Sequence, residues 1–434
     1  MPAGVRAGTV NPRRRLEVGD IIRGHAQEYL ETRGVPAPLC HRKVLRALAA
    51  CRTAVLGGHA ARCDGCGHVE VSYNSCRDRH CPKCQASARA KWLEARCQEL
   101  LPVEYFHVVF TLPHELAPLV RQNRRALFGL LFRTAATTLL ELAADARHLG
   151  ARIGVLAVLH TWGQNLHLHP HVHCVVTGGG LSADGAQWVS CRPRFFLPVK
   201  VLSRLFRGKF LAGLRELHAR RELVLAGPLA PLAAAAALRP WLAPLYGKEW
   251  VVYAKPPFGG PQQVLKYLAR YTHRVAISND RLLSLKDGRV TFSWKNYARS
   301  NARQTMTLAA AEFLRRFLEH VTPSGFVRIR YYGLWSNRGR DARLALCRQR
   351  LATAGVSPTA TRALNNQPVN SQVSQESLVR PADRAVPGEP PRCPACGLHS
   401  LQAIALWPPP TVCGLLAMPL ERILQAAPIP RDTS

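Results

Sequence analysis

The segment from Ile153 to Val176, IGVLAVLHTWGQNLHLHPHVHCVV, constrains the fold of this chain more than any other. It opens with a continuous apolar run, breaks at a short polar stretch, and then places His167, His169, His171 and His173 at every second position. Because successive side chains of a strand point to opposite faces, the four imidazoles would share one face, about 6.6 Å apart. The pattern predicts a β-hairpin whose first strand is buried on both faces and whose second strand carries a row of ligands.

This row of histidines has three interpretations. Imidazole is the commonest metal ligand in proteins, and a pair on one strand face can chelate a divalent ion. The row could be a solvated face that uses histidine, a structural zinc site, or a catalytic metal site. Four histidines of one parity beside a buried strand rarely arise by chance, which favours a catalytic metal site.

The motif His171-Val172-His173 resembles the His-hydrophobic-His motif of the HUH endonucleases, which cut and rejoin single-stranded DNA. With Pro170 before it and the glycine run 178–180 after it, the string is most similar to rolling-circle insertion-sequence transposases that use two tyrosines. The resemblance implies a ferredoxin-like sheet with the histidines on a central strand. It also implies a third metal ligand from another element.

Two histidines compete for the place of third ligand. His160 lies eleven residues before His171 on the neighbouring strand, which is similar to the relaxase branch of the HUH proteins. A hairpin symmetric about residues 164–165 would instead set His160 beside His169, diagonal to His171. The resemblance favours the triad His160, His171 and His173, and strand geometry keeps His169 as a rival.

Two tyrosines, Tyr267 and Tyr271, stand four residues apart in a segment with helical spacing of its apolar residues. Both hydroxyls would project from one side of the helix, with Arg270 and Arg274 on an adjacent stripe. Such a pair alone is more often packed in a core than reactive. The string YLARYTHRVAIS, however, resembles the tyrosine segment of the two-tyrosine transposases, which implies that Tyr267 and Tyr271 are the nucleophiles.

Cysteines cluster near the N-terminus in two CxxC knuckles, Cys63 to Cys66 and Cys81 to Cys84. Tetrahedral zinc takes four such thiolates, so the spacing predicts one structural zinc ion. Buried cysteines without metal are the alternative. Further candidates leave room for a second metal ion: His59, His68, Cys76 and His80.

The string SCRDRHCPKC, residues 75–84, resembles the zinc-binding domain that precedes the catalytic domain in these transposases. The resemblance implies that Arg77 and Arg79 face DNA, although a solvated charged face is the alternative for each. A third CxxC, Cys393 to Cys396, supplies only half of a zinc site, which His399 or Cys413 could help to complete.

The charge of the chain points to a polyanionic partner. Lys plus Arg total 59 against 27 acidic residues, which gives a net charge of +32. Basic residues are spread along the whole chain and not gathered on one amphipathic helix, which favours nucleic acid over a membrane surface. Two segments with interleaved aromatic residues add candidate DNA contacts at Lys295, Arg299 and Arg338. Arg270 and Arg274, beside the two tyrosines, are further candidate DNA contacts.

Strands alternate with helices in the middle of the chain, which predicts an α+β fold with an antiparallel central sheet. We expect a disordered basic tail over residues 1–17 and a helical zinc-binding domain over 18–104. A HUH catalytic domain then covers 105–350, and a low-complexity tail with one CxxC covers 351–434. No apolar stretch follows the N-terminal arginines, so no signal peptide is expected, and we expect a cytoplasmic, nucleoid-associated protein.

Together these features predict a DNA transposase that nicks and rejoins single strands at insertion-sequence ends through a 5′-phosphotyrosine. The expected metals are a structural Zn²⁺ and a catalytic Mg²⁺ or Mn²⁺, and no nucleotide cofactor is expected because no GxxxxGK[ST] string is present. The alternatives are a zinc-dependent DNA-binding protein without catalysis and a HUH endonuclease of the replication-initiator type.

Overall fold

The structure is a computed structural model that describes residues 15–84, 92–255, 276–296, 302–355 and 391–426. The predicted tyrosine segment with Tyr267, Arg270, Tyr271 and Arg274 lies outside the described residues, as does Arg299. The chain divides into two compact units. The described residues of the first unit are 15–84, 277–296, 302–318 and 391–426, and those of the second are 92–255, 276 and 319–355.

In the described parts of the chain, the helices are α1 (Val18–Glu31), α2 (Leu39–Ala50), α3 (Ala117–Gln122), α4 (Arg124–Ala144), α5 (Val199–Ala219), α6 (Ala235–Gly247), α7 (Ala310–Leu318), α8 (Arg340–Thr353), α9 (Val412–Ala417) and α10 (Leu420–Leu424). The strands are β1 (Gly58–Cys63), β2 (Val69–Tyr73), β3 (Tyr105–Thr111), β4 (Arg152–Trp162), β5 (Leu168–Leu181), β6 (Trp188–Ser190), β7 (Val252–Lys255), β8 (Leu282–Lys286), β9 (Arg289–Asn296), β10 (Ala302–Ala309), β11 (Ile329–Gly333) and β12 (Leu401–Trp407).

The second unit is organised around an antiparallel sheet. Its strands follow the order β11-β4-β5-β3-β7, and the short β6 pairs with the end of β5. The strand that carries the histidine row, β5, is therefore central. The predicted α+β class, the antiparallel sheet and the central position of the histidines are confirmed.

One face of this sheet is covered by helices α4, α5 and α6. Strand alternation directs Phe106, Val108 and Phe110 of β3 toward these helices, where they join a large apolar core. Among the described residues, α4 alone has the length and hydropathy of a membrane-spanning helix, but 67% of that apolar window is buried inside the protein. Its apolar surface is used for packing, as in the core helix of a globular domain.

The opposite face of the sheet is divided into two halves. At one end, α8 covers Tyr105, Leu156 and Val175 with a smaller apolar cluster. Trp335 belongs to that cluster and is only 4% exposed. Its ring stacks on that of Tyr105, with centroids 5.6 Å apart. It is therefore a core residue and is not available to stack on a DNA base. The other half of this face holds the histidines.

The first unit contains two three-stranded antiparallel sheets, ordered β12-β1-β2 and β10-β9-β8. Helix α1 packs against α2 and α7 within this unit. Two segments therefore fold in a different place from the one predicted. Residues 277–296 and 302–318, assigned to the catalytic domain, and the described part of the C-terminal tail, 391–426, belong to the first unit. Sequence composition could not show this, because the contacts join segments hundreds of residues apart.

Helices α3 and α4, which precede the histidine hairpin, are separated at Asn123. The Asn123 side chain accepts a hydrogen bond from Val224 N–H (2.6 Å) and donates to Val224 O (2.8 Å). An asparagine that bonds to the backbone of a distant loop thus ends one helix and begins the next. This contact is tertiary, so helix propensities of the local sequence cannot predict it.

Candidate metal centres

The pairing of β4 with β5 places histidines of the two strands side by side. His160 is directly opposite His171, and Val158 is opposite His173. The register shifts between His160 and Trp162, so that Trp162 pairs with Leu168. A symmetric hairpin would have set His160 beside His169. The turn, which pairs Trp162 with Leu168, and this one-residue shift together move His160 to His171 instead.

Three imidazoles thereby form one group. The candidate ligand nitrogens of His160, His171 and His173 all lie within 4.8 Å of one another. Ring centroids are 4.4 Å apart for His160 and His173, 4.9 Å for His171 and His173, and 5.4 Å for His160 and His171. His169 is exposed and stands outside this group. The structure thus assembles the triad that the resemblance favoured.

Neighbouring groups fix the orientation of these rings. His171 Nδ1–H donates to the carbonyl oxygen of His169 at 2.7 Å, which directs Nε2 of His171 to the group. His173 Nδ1 lies 2.8 Å from Nε2 of His107 on β3, and the two rings are stacked. Trp162 stacks on His160 at 4.7 Å. The contacts to Nδ1 of His171 and of His173 are of the kind by which proteins usually orient metal-binding histidines.

His107 is a residue that the sequence did not identify. It is the one polar member of the apolar run YFHVVF, at residues 105–110, and it is buried. Its parity on β3 places it on the same sheet face as His173. A lone histidine inside an otherwise apolar strand was the available signal.

Burial sets the charge state of the site. It lowers the pKa of His171 to about 3, and it lowers the pKa of His107 to about 4 with a further contribution from Lys255. Both imidazoles are therefore neutral at physiological pH, and the neutral ring is the form that binds a metal ion. Three converging imidazoles fit a divalent cation that keeps open positions for a substrate oxygen.

The first group of cysteines joins Cys51, Cys76, Cys81 and Cys84. Sulfur atoms are 3.4 Å apart for Cys51 and Cys84, and 3.6 Å apart for Cys76 and Cys84. A zinc–sulfur bond of about 2.3 Å gives a tetrahedral S–S edge of about 3.8 Å, so this group fits one ion. Cys51 at the end of α2 was missed, because it reads as one more apolar residue of a helix.

The predicted zinc site, which combined the two N-terminal knuckles, is wrong in its grouping. Cys63 and Cys66 lie together with Cys393 and Cys396, and not with Cys81 and Cys84. Among the spare candidates, Cys76 joins the first group. Of the described histidines, His59, His68 and His80 belong to neither cysteine group, and His80 Nδ1 instead lies 2.9 Å from Asp78.

Comparison with known proteins gives matches along most of the chain. Residues 21–112 match the family model described as "Transposase zinc-binding domain", and residues 154–342 match one described as "Putative transposase". "Putative transposase y4qJ" of Sinorhizobium fredii is 51% identical over 390 residues, which are 90% of this chain and 94% of that protein. The chain belongs to the IS91 family of transposases. No solved structure matches it.

A second relative supports the same family. The "Transposase for insertion sequence element IS801" of Pseudomonas savastanoi pv. phaseolicola is 31% identical over 316 residues, which are 71% of this chain and 74% of that protein. The transposase model covers the histidine hairpin, and the zinc-binding model covers the whole first cysteine group. Structural zinc is therefore a property of this transposase. Cys393 and Cys396 lie outside both matched regions.

The predicted DNA-contacting residues of this transposase are on the surface where the structure describes them. Arg77 and Arg79 lie between Cys76 and Cys81 of the first cysteine group, and both are exposed. Lys295 is exposed on β9, opposite Arg303 of β10. Arg338 is exposed in the turn before α8. Their positions allow contact with phosphates and leave the predicted contacts to be tested.

Proposed function

We propose that this transposase nicks and joins single-stranded DNA through a 5′-phosphotyrosine intermediate, as in rolling-circle transposition. The observation that supports the proposal most is the convergence of His160, His171 and His173 on the central strands of the catalytic sheet. Their resemblance to the HUH motif and the tyrosine pair that follows them in the sequence also support this reaction class.

The triad would hold Mg²⁺ or Mn²⁺, with His107 orienting His173 through the 2.8 Å contact between their rings. When bound, the ion supplies Lewis-acid polarisation of a phosphoryl oxygen and offsets the charge that develops during transfer. The protein contributes three imidazoles that already converge on two paired strands, so the metal site needs little reorganisation.

Tyr267 and Tyr271 are the proposed nucleophiles. The phenol oxygen forms a bond to phosphorus, the bond from phosphorus to the 3′ oxygen breaks, the phenol proton is lost, and the 3′ oxygen gains a proton. Joining reverses these changes when a 3′ hydroxyl attacks the phosphotyrosine. The phosphodiester energy is kept in the link, so no nucleotide cofactor is required, and two tyrosines permit two successive cleavages.

The partner is proposed to be single-stranded DNA at the ends of the insertion sequence and at its target. The net charge of +32 supports this, because each neutralised phosphate releases condensed counterions. We place the protein in the cytoplasm, associated with the nucleoid through DNA and not with a membrane.

The test is to incubate the full-length protein with single-stranded fragments of its element ends and Mn²⁺, then to separate the products on a denaturing gel. We expect a protein-linked DNA band that persists in Tyr246→Phe, a control tyrosine on α6. The band should be absent from the Tyr267→Phe, Tyr271→Phe double variant. Undiminished cleavage by that variant would support a water-using metal nuclease. Binding without any cleavage by the wild-type protein would support a zinc-dependent DNA-binding protein.

A further inference from the structure

Two short segments at opposite ends of the chain have the same local form. One is CDGCGH at residues 63–68, and the other is CPACGLH at residues 393–399. In the first, Cys63 N–H donates to His68 O at 2.8 Å, and Gly67 N–H donates to Cys63 O at 2.9 Å. These bonds close a tight loop around the two cysteines.

The second segment repeats this arrangement. Cys393 N–H donates to Leu398 O at 2.7 Å, and Gly397 N–H donates to Cys393 O at 2.9 Å. The glycine after the second cysteine has a positive φ in both loops, +71° at Gly67 and +78° at Gly397. Only glycine adopts this conformation at no steric cost, so both loops are built as the same kind of knuckle.

The two knuckles face each other through their sulfur atoms. Cys63 Sγ lies 3.6 Å from Cys396 Sγ, and Cys66 Sγ lies 3.7 Å from Cys393 Sγ. These distances are far longer than a disulfide bond of about 2.05 Å. They match the edge of about 3.8 Å expected for four thiolates around one zinc ion.

Apolar packing at this place is small. Its buried cluster consists of Cys63, Cys393 and Leu401, with Ala61 packed against it. A three-stranded sheet with so little apolar burial needs another source of stability, and a structural metal ion is the usual one. The contact between the knuckles is nevertheless close, because a Cβ at Gly65 would lie 2.8 Å from Leu398.

We propose that Cys63, Cys66, Cys393 and Cys396 bind a second zinc ion. The site is a zinc ribbon whose two halves come from opposite ends of the chain. Its function is to fasten the C-terminal segment, residues 391–426, to the N-terminal sheet. The zinc-binding domain of this transposase is thus complete only when the C-terminus is in place.

The remaining contacts of the C-terminal segment agree with this role. Strand β12 pairs with β1 from Gly58 opposite Trp407 to Cys63 opposite Leu401. A Cβ at Gly57 would lie 2.4 Å from the carbonyl oxygen of Trp407, which shows how closely the two backbones approach. Helix α10 packs on α1 and α2. The segment therefore supplies a strand, two ligands and a helix to the same unit.

Zinc content tests the number of sites. All proteins are full length and carry His171→Ala, so that the hairpin does not contribute bound zinc. We expect two zinc ions per chain in this background, one after Cys393→Ser, and two after Cys413→Ser, which changes an exposed cysteine outside both groups. Two zinc ions in the Cys393→Ser protein would overturn the proposal.

Alkylation followed by mass spectrometry tests the grouping. Cys393→Ser should expose Cys63, Cys66 and Cys396 to alkylation together, while Cys51, Cys76, Cys81 and Cys84 stay protected. If that variant does not fold, a chelator titration of the otherwise unchanged protein gives the same information. We expect Cys63 and Cys66 to become reactive in step with Cys393 and Cys396. The proposal would be overturned if Cys63 and Cys66 became reactive toward alkylation in step with Cys81 and Cys84 instead. Neither result depends on DNA cleavage.

Discussion

The histidine triad and the cysteine groups differ in what supports them. The histidines stand on the central strands of a sheet whose other face carries a large core, where Val172, Cys174 and Val176 pack with the helices. The split cysteine group has a buried cluster of only a few side chains. The sheet would hold the histidines in place without an ion, whereas the knuckles depend on one.

This difference separates the two roles that a metal ion can have in one chain. An ion at a preformed site adds chemistry and little stability, because the protein has already ordered its ligands. An ion at a site without a core supplies folding free energy directly. Removal of metal should therefore abolish cleavage through the histidines and unfold the protein locally through the cysteines.

The largest expected effect is the loss of the first cysteine group. Cys81→Ser removes one of four ligands from a site whose zinc contributes about 10–16 kcal/mol in comparable small domains. We expect the end of α2 and residues 74–84, which carry this group, to lose their protection from amide hydrogen exchange while β4 and β5 keep theirs. Cys413→Ser is the matched control. Equal protection of residues 74–84 in Cys81→Ser and in the control would show that this region folds without zinc.

The second effect concerns catalysis without a loss of fold. His171→Ala should reduce cleavage by at least about 100-fold, because several kcal/mol of charge stabilisation depend on the ion. The melting temperature of the second unit should change little, since His171 is only half-buried. His160→Ala should lower cleavage similarly, and His169→Ala should be mild. The reverse ranking of His160 and His169 would make His169 the third ligand.

A smaller effect should follow from a residue that orients a ligand. His107→Phe keeps an aromatic ring at this position and removes the nitrogen contact with His173 Nδ1. Loss of such an orienting group typically weakens metal binding about 10–100-fold. The midpoint of a Mn²⁺ titration of cleavage should rise accordingly, with activity restored at high Mn²⁺. A loss that excess Mn²⁺ does not restore would assign His107 a role other than orientation.

The smallest expected effect is a change in the salt dependence of DNA binding, caused by Arg77 and Arg79 near the first cysteine group. Arg77→Ala and Arg79→Ala should each reduce the slope of log K against log salt for single-stranded DNA by about 0.7, the contribution of one phosphate. Arg147→Ala is the control, since Arg147 is exposed but paired with Asp145 at 2.7 Å. An unchanged slope in the Arg77 and Arg79 variants would mean that these side chains are solvated and do not contact DNA.

Most of the histidine centre could be predicted from the sequence, because the alternation of side chains along a strand depends only on neighbouring residues. His171 and His173 share a face for the same reason in any strand, and the resemblance added His160. Local pattern did not contain the register shift at Trp162, which places His160 opposite His171. Nor did it show that His107 of β3 would reach His173.

The cysteine pairing was less accessible for a physical reason. A CxxC motif identifies two of the four ligands of a zinc site. Tertiary folding determines which other two cysteines complete the site. Cys81 and Cys84 lie together with Cys51 and Cys76, while Cys63 lies next to Cys396, 333 residues away in the sequence. The two nearest motifs in the sequence were therefore not partners. The tyrosine segment stays a prediction from resemblance.

The pairing of β1 with β12 has a consequence for how the protein is made. Translation at about 5–20 residues per second separates Cys63 from Cys396 by roughly 15–70 s. During that interval an emerging chain exposes the edge of β1 and two unsatisfied thiols. A product truncated before residue 391 lacks β12, so the edge of β1 that β12 covers in the full chain would stay open to pairing with other strands.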